Sequence, residues 1–346
     1  MKLITASRHE FVDRILRSSF KIIVYGYGVI GKVVAPYFIN ENGLSDCTLF
    51  WTDADINKQE EKVHINDRTY PVKDPGDIKE VRDPFVILIT GSRYDSIIKA
   101  FESDPFYDDK EVYILPGMLA DECRNFEKYD HGADHDKIRI PKIIHYCWFG
   151  KTEIPDELKK YMESWSSSCP DYEIKRWDEN NYDIDKFRYS KDAYKHGKLG
   201  YVPDIVRLDL LYNYGGIYLD TDVEILRSLD NLLTFDGFIG TEKWGIVNAG
   251  GGSGAVPGHP MIGEMLEYKK GIAFEREDGS LNLESSGTTE SIPLIKHGFI
   301  PNNRIQNING LTILTSDFFQ PYDYMTKETY ITENTYGIHH FYGSWV

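Results

Sequence analysis

Two carboxylates, Asp220 and Asp222, flank Thr221 immediately after the short apolar run Ile217, Tyr218 and Leu219. Hard oxygen ligands that converge in this way hold Mg2+ or Mn2+ and leave coordination positions free for a substrate diphosphate. Upstream, Asp204 and Arg207 lie three residues apart, a spacing that places an acceptor and a fork of donors on one helix face. The Asp-x-Asp spacing has little specificity alone, because it recurs at Asp53/Asp55, Asp134/Asp136 and Asp183/Asp185. Such a pair without context is a solvated acidic loop.

Context comes from the elements that must position these groups. Pro203 suits a first helical turn; Ile205, Leu208, Leu211 and Tyr212 recur at helical spacing; Gly215 and Gly216 supply a stop. A helix of roughly three turns is predicted, then a buried strand that emerges at a sheet edge in the Asp220-Thr221-Asp222 tripeptide. Strand alternation would point both carboxylates the same way.

The whole string, P-D-x-x-R followed by Y-G-G-I-Y-L-D-T-D-V-E, resembles the core of the DXD-containing sugar transferases. That family includes yeast-type initiating mannosyltransferases, bacterial capsular polysaccharide transferases and, more distantly, the large clostridial glucosylating toxins. The likeness covers about residues 138–346 and implies a metal-dependent GT-A-type domain. Such a domain moves a hexose, with retention of configuration, from a nucleotide diphosphate sugar, UDP-linked by preference, to a hydroxyl of a surface or capsular glycan or a lipid-linked glycan. It implies a metal on Asp220 and Asp222, sugar hydroxyls on Asp204 and Arg207, and no enzymatic nucleophile, since the leaving phosphate takes the acceptor's proton.

In the same resemblance RIPKIIHYCWFG forms the first strand of the catalytic domain, and Trp148 would stack on a base; a core tryptophan is the alternative. His145 is more simply a structural histidine. Trp165 and Trp177 belong to a matching S-W-x-x-x-x-P-D-Y-E-x-x-x-W-D pattern that we read as packing. The end of the chain, YGIHHFYGSWV, resembles the family's H-H-x-x-x-S-W signature. His339, His340 or Ser344 would complete the metal site, and Trp345 would cover the nucleotide. The glycine-rich stretch 248–253 reads equally as a close approach to a ligand or as a mobile connection, and Ser285 to Thr289 as a loop. Strands are expected at 238–244, and a helix from Pro260 to about Lys270.

A second module precedes this one. Strand Lys21 to Tyr25 opens onto Gly26, Gly28 and Gly31 in G-x-G-x-x-G spacing, a helical pattern follows, and Asp53 ends a second strand 22 residues beyond Gly31. Phe85 to Thr90 reads as a later buried strand. These features predict a Rossmann-like parallel α/β unit whose glycine turn either holds a nucleotide, with Asp53 on a ribose, or serves packing alone. Residues 20–115 also resemble the small nucleotide-binding domains attached to bacterial sugar-modifying acetyltransferases. The expected organisation is α/β in two domains: 1–125, a polar linker at 126–137, and 138–346.

At 346 residues the chain exceeds the size of a single core, which fits that division. A formal charge of −16 without clustered Lys and Arg argues against nucleic acid. The cysteines at 47, 123, 147 and 169 form no C-x-x-C pair, which suggests reduced thiols. No apolar run approaches the roughly 20 residues of a membrane span, and the N-terminus lacks an apolar signal core. A cytoplasmic protein is expected, with membrane contact at most peripheral. Two rivals stay open: an NAD(P)-dependent oxidoreductase or epimerase, and a non-catalytic sugar-nucleotide-binding protein.

Overall fold

The computed structural model describes residues 1–91, 94–120, 126–130, 137–324 and 326–343. They gather into two compact units, Met1–Asn125 and Phe126–Val346. Both are mixed α/β units built on large, parallel-rich sheets.

In the first unit, strands Lys2–Leu3 (β1), Lys21–Tyr25 (β2), Thr48–Thr52 (β3), Lys62–Ile65 (β4), Arg68–Lys73 (β5), Phe85–Ile89 (β6) and Glu111–Ile114 (β7) form one sheet in the order β1-β7-β6-β2-β3-β5-β4. Pairing is parallel except in the β4–β5 hairpin. The central β6 is buried along its whole length and β2 at Ile22, Ile23 and Val24, the continuous apolar pattern of strands covered on both faces. Helices Arg8–Leu16 (α1), Ala35–Glu41 (α2) and Asp95–Glu102 (α3) connect strands of this sheet, and Leu115–Met118 (α4) follows β7. A capping box between Ser7 and Glu10 starts α1, a device worth about 1 kcal/mol.

The second unit contains Ile143–Cys147 (β8), Glu173–Trp177 (β9), Gly216–Tyr218 (β10), Val223–Ile225 (β11), Gly237–Gly240 (β12), Ser253–Ala255 (β13), Gln306–Ile308 (β14) and Leu311–Leu314 (β15). Seven of these make a sheet in the order β14-β15-β12-β13-β10-β8-β9, while β11 pairs antiparallel with Gly337–His339. Its helices are Asp156–Ser168 (α5), Arg188–Lys195 (α6), Pro203–Tyr214 (α7), Pro260–Lys270 (α8) and Ser286–Ile295 (α9). Alternation along β10 feeds two cores. Ile217 packs with Ile144, Trp165 and Phe238, whereas Tyr218 joins Ile205, Leu208 and Ile239.

Helix α7 has the predicted bounds, ending at Gly215, whose φ of 66° is ready for a residue without a Cβ. It is not amphipathic, because every residue from Asp204 to Leu211 is buried, charged ones included. Tyr212, which the spacing put on the apolar face, is 38% exposed. Two other expectations are corrected. The strand at 238–244 stops at Gly240, and Trp244 turns the chain with φ of 72°. Ser286 to Thr289 form the first turn of α9 rather than a loop; burial of Gly287 through Ser291 overrides the weak helix propensity of Ser, Gly and Thr.

Part of the stretch read as a linker is fastened to the second unit. Asn334 accepts from the Tyr129 amide (2.8 Å) and donates to the Glu127 carbonyl (2.9 Å), and the Tyr129 ring meets Phe318 edge-on. Cys47, Cys147 and Cys169 are free thiols, and Cys123 lies outside the described residues. Among the described residues no helix is long and apolar enough to cross a membrane.

Candidate functional site

Asp220 and Asp222 stand on a tight turn between β10 and β11, closed by the Val223 amide donating to the Asp220 carbonyl at 3.1 Å. The turn, not strand alternation, makes the carboxylates converge. Pairing of β11 with Gly337–His339 sets Val223 opposite His339, and His339 Nε2 lies 3.2 Å from Asp222 Oδ1. One ligand atom from each of Asp220, Asp222 and His339 falls within 4.8 Å of the others.

Burial disfavours the Asp222 carboxylate, yet His339 and the Tyr342 amide, which donates to Oδ2 at 2.9 Å, hold it down to about 2. Asp220 moves up instead, because burial and the neighbouring Asp222 outweigh Arg207. His339 is buried, which favours the neutral ring, but the two carboxylates and Glu242 raise it above its usual range. A site that concentrates negative charge and recruits a proton onto an imidazole is chemically suited to a divalent cation, which would take the proton's place.

A buried polar layer backs this turn. Arg207 is 3% exposed; its Nη2 donates to Asp204 Oδ1, and its Nη1 lies 3.7 Å from Asp220 Oδ2 and 3.9 Å from Glu290 Oε1. Asp204 also accepts from Tyr189 (3.2 Å), and Lys269 Nζ stands 3.5 Å away while donating to Thr289 Oγ1 at 3.1 Å. Glu290 Oε2 accepts from the Ala249 amide at 2.8 Å, and burial, partly opposed by Arg207, pushes this carboxyl up to about 7. Lys269, Glu290 and Tyr189 were not singled out in the sequence. The one available signal was the charge of Lys269 on the predicted helix from Pro260; Tyr189 carries no charge, and Glu290 follows a stretch that reads as a loop.

The glycine-rich stretch lies directly over the pair. Asp220 donates its amide to the Gly250 carbonyl (2.8 Å), and residues 248–253 are buried. A Cβ at Gly250 would overlap Asp220 Oδ2 and Arg207 Nη1, and one at Gly251 would come within 2.6 Å of Gln320 Nε2. Gly250→Ala should therefore push the Asp220 carboxylate out of register and weaken Mn2+ binding by about 10–100-fold with circular dichroism unchanged. A calorimetric titration matching that of the native chain would refute this.

Among the described residues, the buried side-chain atoms without a hydrogen-bond partner are Thr52 Oγ1 in the first unit and, in the second, Arg207 Nη1, Glu290 Oε1, both amide atoms of Gln320 and His339 Nδ1. Buried polar groups are normally paired. Those of the second unit belong to the histidine opposite the aspartate turn, to the helix residues behind that turn and to the side chain beneath Gly251, which is what a site built for a polar ligand requires.

His340, grouped with the metal ligands from sequence, is not part of the cluster. Adjacent residues of extended chain face opposite ways, so its ring stacks on Tyr161 (4.0 Å between centroids) and its Nε2 sits 3.0 Å from Glu224. Ser344 and Trp345 lie outside the described residues. Trp148 follows β8 at the same sheet edge as Asp220, half-buried, its indole donating to the Thr152 carbonyl at 2.8 Å. His145 is fully engaged: Nδ1 accepts from Trp177 Nε1 (3.0 Å) and Nε2 donates to the Gly215 carbonyl (2.9 Å).

Burial lowers His145 to about 4. The unfolded chain, with histidine near its ordinary 6.5, then binds more protons between pH 6.5 and 4, so stability falls as pH drops through that window. Denaturant titrations at pH 7 and pH 4 should show the native chain losing about 3 kcal/mol more than His145→Gln, which does not titrate there. Equal losses would contradict the assignment.

In the first unit, Gly26 has φ of 111° and a Cβ at Gly31 would overlap the Gly26 carbonyl oxygen, so the fold itself demands both glycines. Gly28 faces open space. Asp53 turns back to the glycine loop: its Oδ2 accepts from the Tyr27 amide (2.7 Å) and from Lys58 (3.2 Å).

Residues 155–239 match the family profile described as the glycosyltransferase sugar-binding region containing DXD motif. Inositol phosphoceramide mannosyltransferase 3 of Schizosaccharomyces pombe is 34% identical over 165 residues, 45% of this chain and 44% of that protein. The chain thus matches less than half the length of this relative. Uncharacterized glycosyltransferase L373 of Acanthamoeba polyphaga mimivirus is 26% identical over 227 residues, 60% of this chain and 84% of the relative. Among solved structures, PaToxG glycosyltransferase aligns with 45% of this chain and 68% of its own at 16% identity and a TM-score of 0.39.

Proposed function

We propose that the second unit is a metal-dependent, retaining GT-A-type glycosyltransferase that moves a hexose from a nucleoside diphosphate sugar to a hydroxyl of a glycan or glycolipid. The observation that carries this reading is the convergence of Asp220, Asp222 and His339 in front of the buried Arg207, the two aspartates and the arginine lying on a segment that matches a DXD sugar-binding region. A divalent cation held by these three residues would neutralise the charge that develops on the leaving diphosphate. Arg207, fixed between Asp204 and Asp220, keeps a guanidinium nitrogen for the donor, and the indole of Trp148 offers a face for its base. Loop 248–253 shields the carboxylates from water on one side.

The names of similar proteins make mannose a donor to test beside the UDP-sugars. For the first unit we favour a packing role for the Rossmann-type turn, because two of its three glycines answer to the fold and Asp53 is already committed to the loop. The test is a panel of UDP- and GDP-sugars incubated with the full chain and Mn2+, reading released nucleoside diphosphate. Release from at least one donor, stopped by a chelator, is expected. No release from any donor, with Mn2+ or Mg2+, would overturn the proposal.

A further inference from the structure

Glu290 is 1% exposed and sits in the first half of α9. Its Oε2 is fixed by the Ala249 amide, while Oε1 has no hydrogen-bond partner among the described residues. The same is true of Arg207 Nη1, a donor 3.9 Å from that acceptor. At that separation the two are an ion pair without a hydrogen bond, and both can reach one further atom that accepts and donates at once. A hydroxyl is such a group, and Arg207 Nη1 is also 3.7 Å from the candidate metal ligand Asp220.

We infer that Glu290 is a specificity-determining residue of the donor site: one hydroxyl of the transferred sugar accepts from Arg207 Nη1 and donates to Glu290 Oε1. The inference rests on the transferase reading and adds a sugar-reading group to it. A site with buried polar atoms that await a hydroxyl rejects the analogue lacking it far more strongly than an apolar pocket rejects a changed methylene, because the analogue leaves those atoms unpaired. Glu290 therefore selects among hexoses that differ at a single ring position.

The experiment measures kcat/KM with the better donor of GDP-mannose and UDP-glucose and with its 2-, 3-, 4- and 6-deoxy analogues, for the native chain, Glu290→Ala and Glu290→Gln. In the native chain at least one deoxy analogue should be rejected by about 1,000-fold or more. In Glu290→Ala the rejection at one such position should shrink to less than about 10-fold while the other positions keep theirs. Glu290→Gln retains a carbonyl for the Ala249 amide and presents a donor where Oε1 stood, so the hydroxyl loses the bond it donates and the same discrimination should weaken, even where Glu290→Ala fails to fold. A uniform fall for all donors, or unchanged discrimination in either folded variant, would overturn the inference while leaving the transferase reading in place. A native chain that releases nucleoside diphosphate from no donor of the UDP- and GDP-sugar panel would remove the reading and the inference together.

Discussion

Asp222→Asn should lower metal-dependent turnover of a sugar nucleotide by on the order of 1,000-fold and leave the fold in place. The side chain supplies one oxygen to the Asp220, Asp222 and His339 cluster and another to the Tyr342 amide. A carboxamide can still accept from that amide with its oxygen, which keeps the chain after the Gly337–His339 strand docked. It cannot supply the negative charge that binds a hard cation. The half-buried Asp220 would also be relieved of a like-charged neighbour, so the variant gives back part of whatever stability it loses. The measurement is kcat with Mn2+ alongside a thermal melt. A folded variant with native turnover would show that the carboxylate pair is not the metal site.

Arg207→Ala should act on stability before chemistry. The guanidinium lies within 4 Å of Asp204, Asp220 and Glu290 and is the cation nearest all three. Removing one partner of a buried charge network leaves the others uncompensated, at a cost of about 3–5 kcal/mol. For a unit of this size that lowers the melting temperature by on the order of 10 °C. Lys269, 3.5 Å from Asp204, can compensate that carboxylate alone. Arg207→Ala together with Glu290→Gln should therefore recover part of the loss, since one uncompensated carboxylate is gone. Calorimetric melting of both variants decides the matter; a single variant as stable as the native chain would mean that the network carries no net charge coupling.

The sequence made legible those elements whose local signals agree with their burial. Pro203 and Gly215 bracket α7, and β2, β3 and β6 read directly as apolar runs. Signals failed where tertiary packing overrode propensity. Ser286 to Thr289 are poor helix formers that become helical because Thr288, Thr289 and Glu290 are drawn into the core around Lys269 and Arg207. The site was half legible for a related reason. Asp220, Asp222, Asp204 and Arg207 carry a motif, and the late histidine pair marks the third member of the cluster. Which histidine joins depends on a strand register, Val223 opposite His339, that no local pattern encodes. Glu290 and Lys269 reach the site from helices distant in sequence, and only the folded chain shows that Glu290 shares the Arg207 guanidinium with the aspartate turn and that Lys269 shares Asp204 with that guanidinium.

The central claim is that Asp220, Asp222 and His339 bind one divalent cation together with a nucleoside diphosphate. Anomalous diffraction at the manganese edge, from crystals of the full chain grown with Mn2+ and UDP or GDP, tests it most directly. The account predicts a single strong peak within coordination distance of Asp220, Asp222 and His339, with diphosphate oxygens completing the sphere. A peak elsewhere, or density for the nucleotide bound without any metal at these three residues, would contradict it.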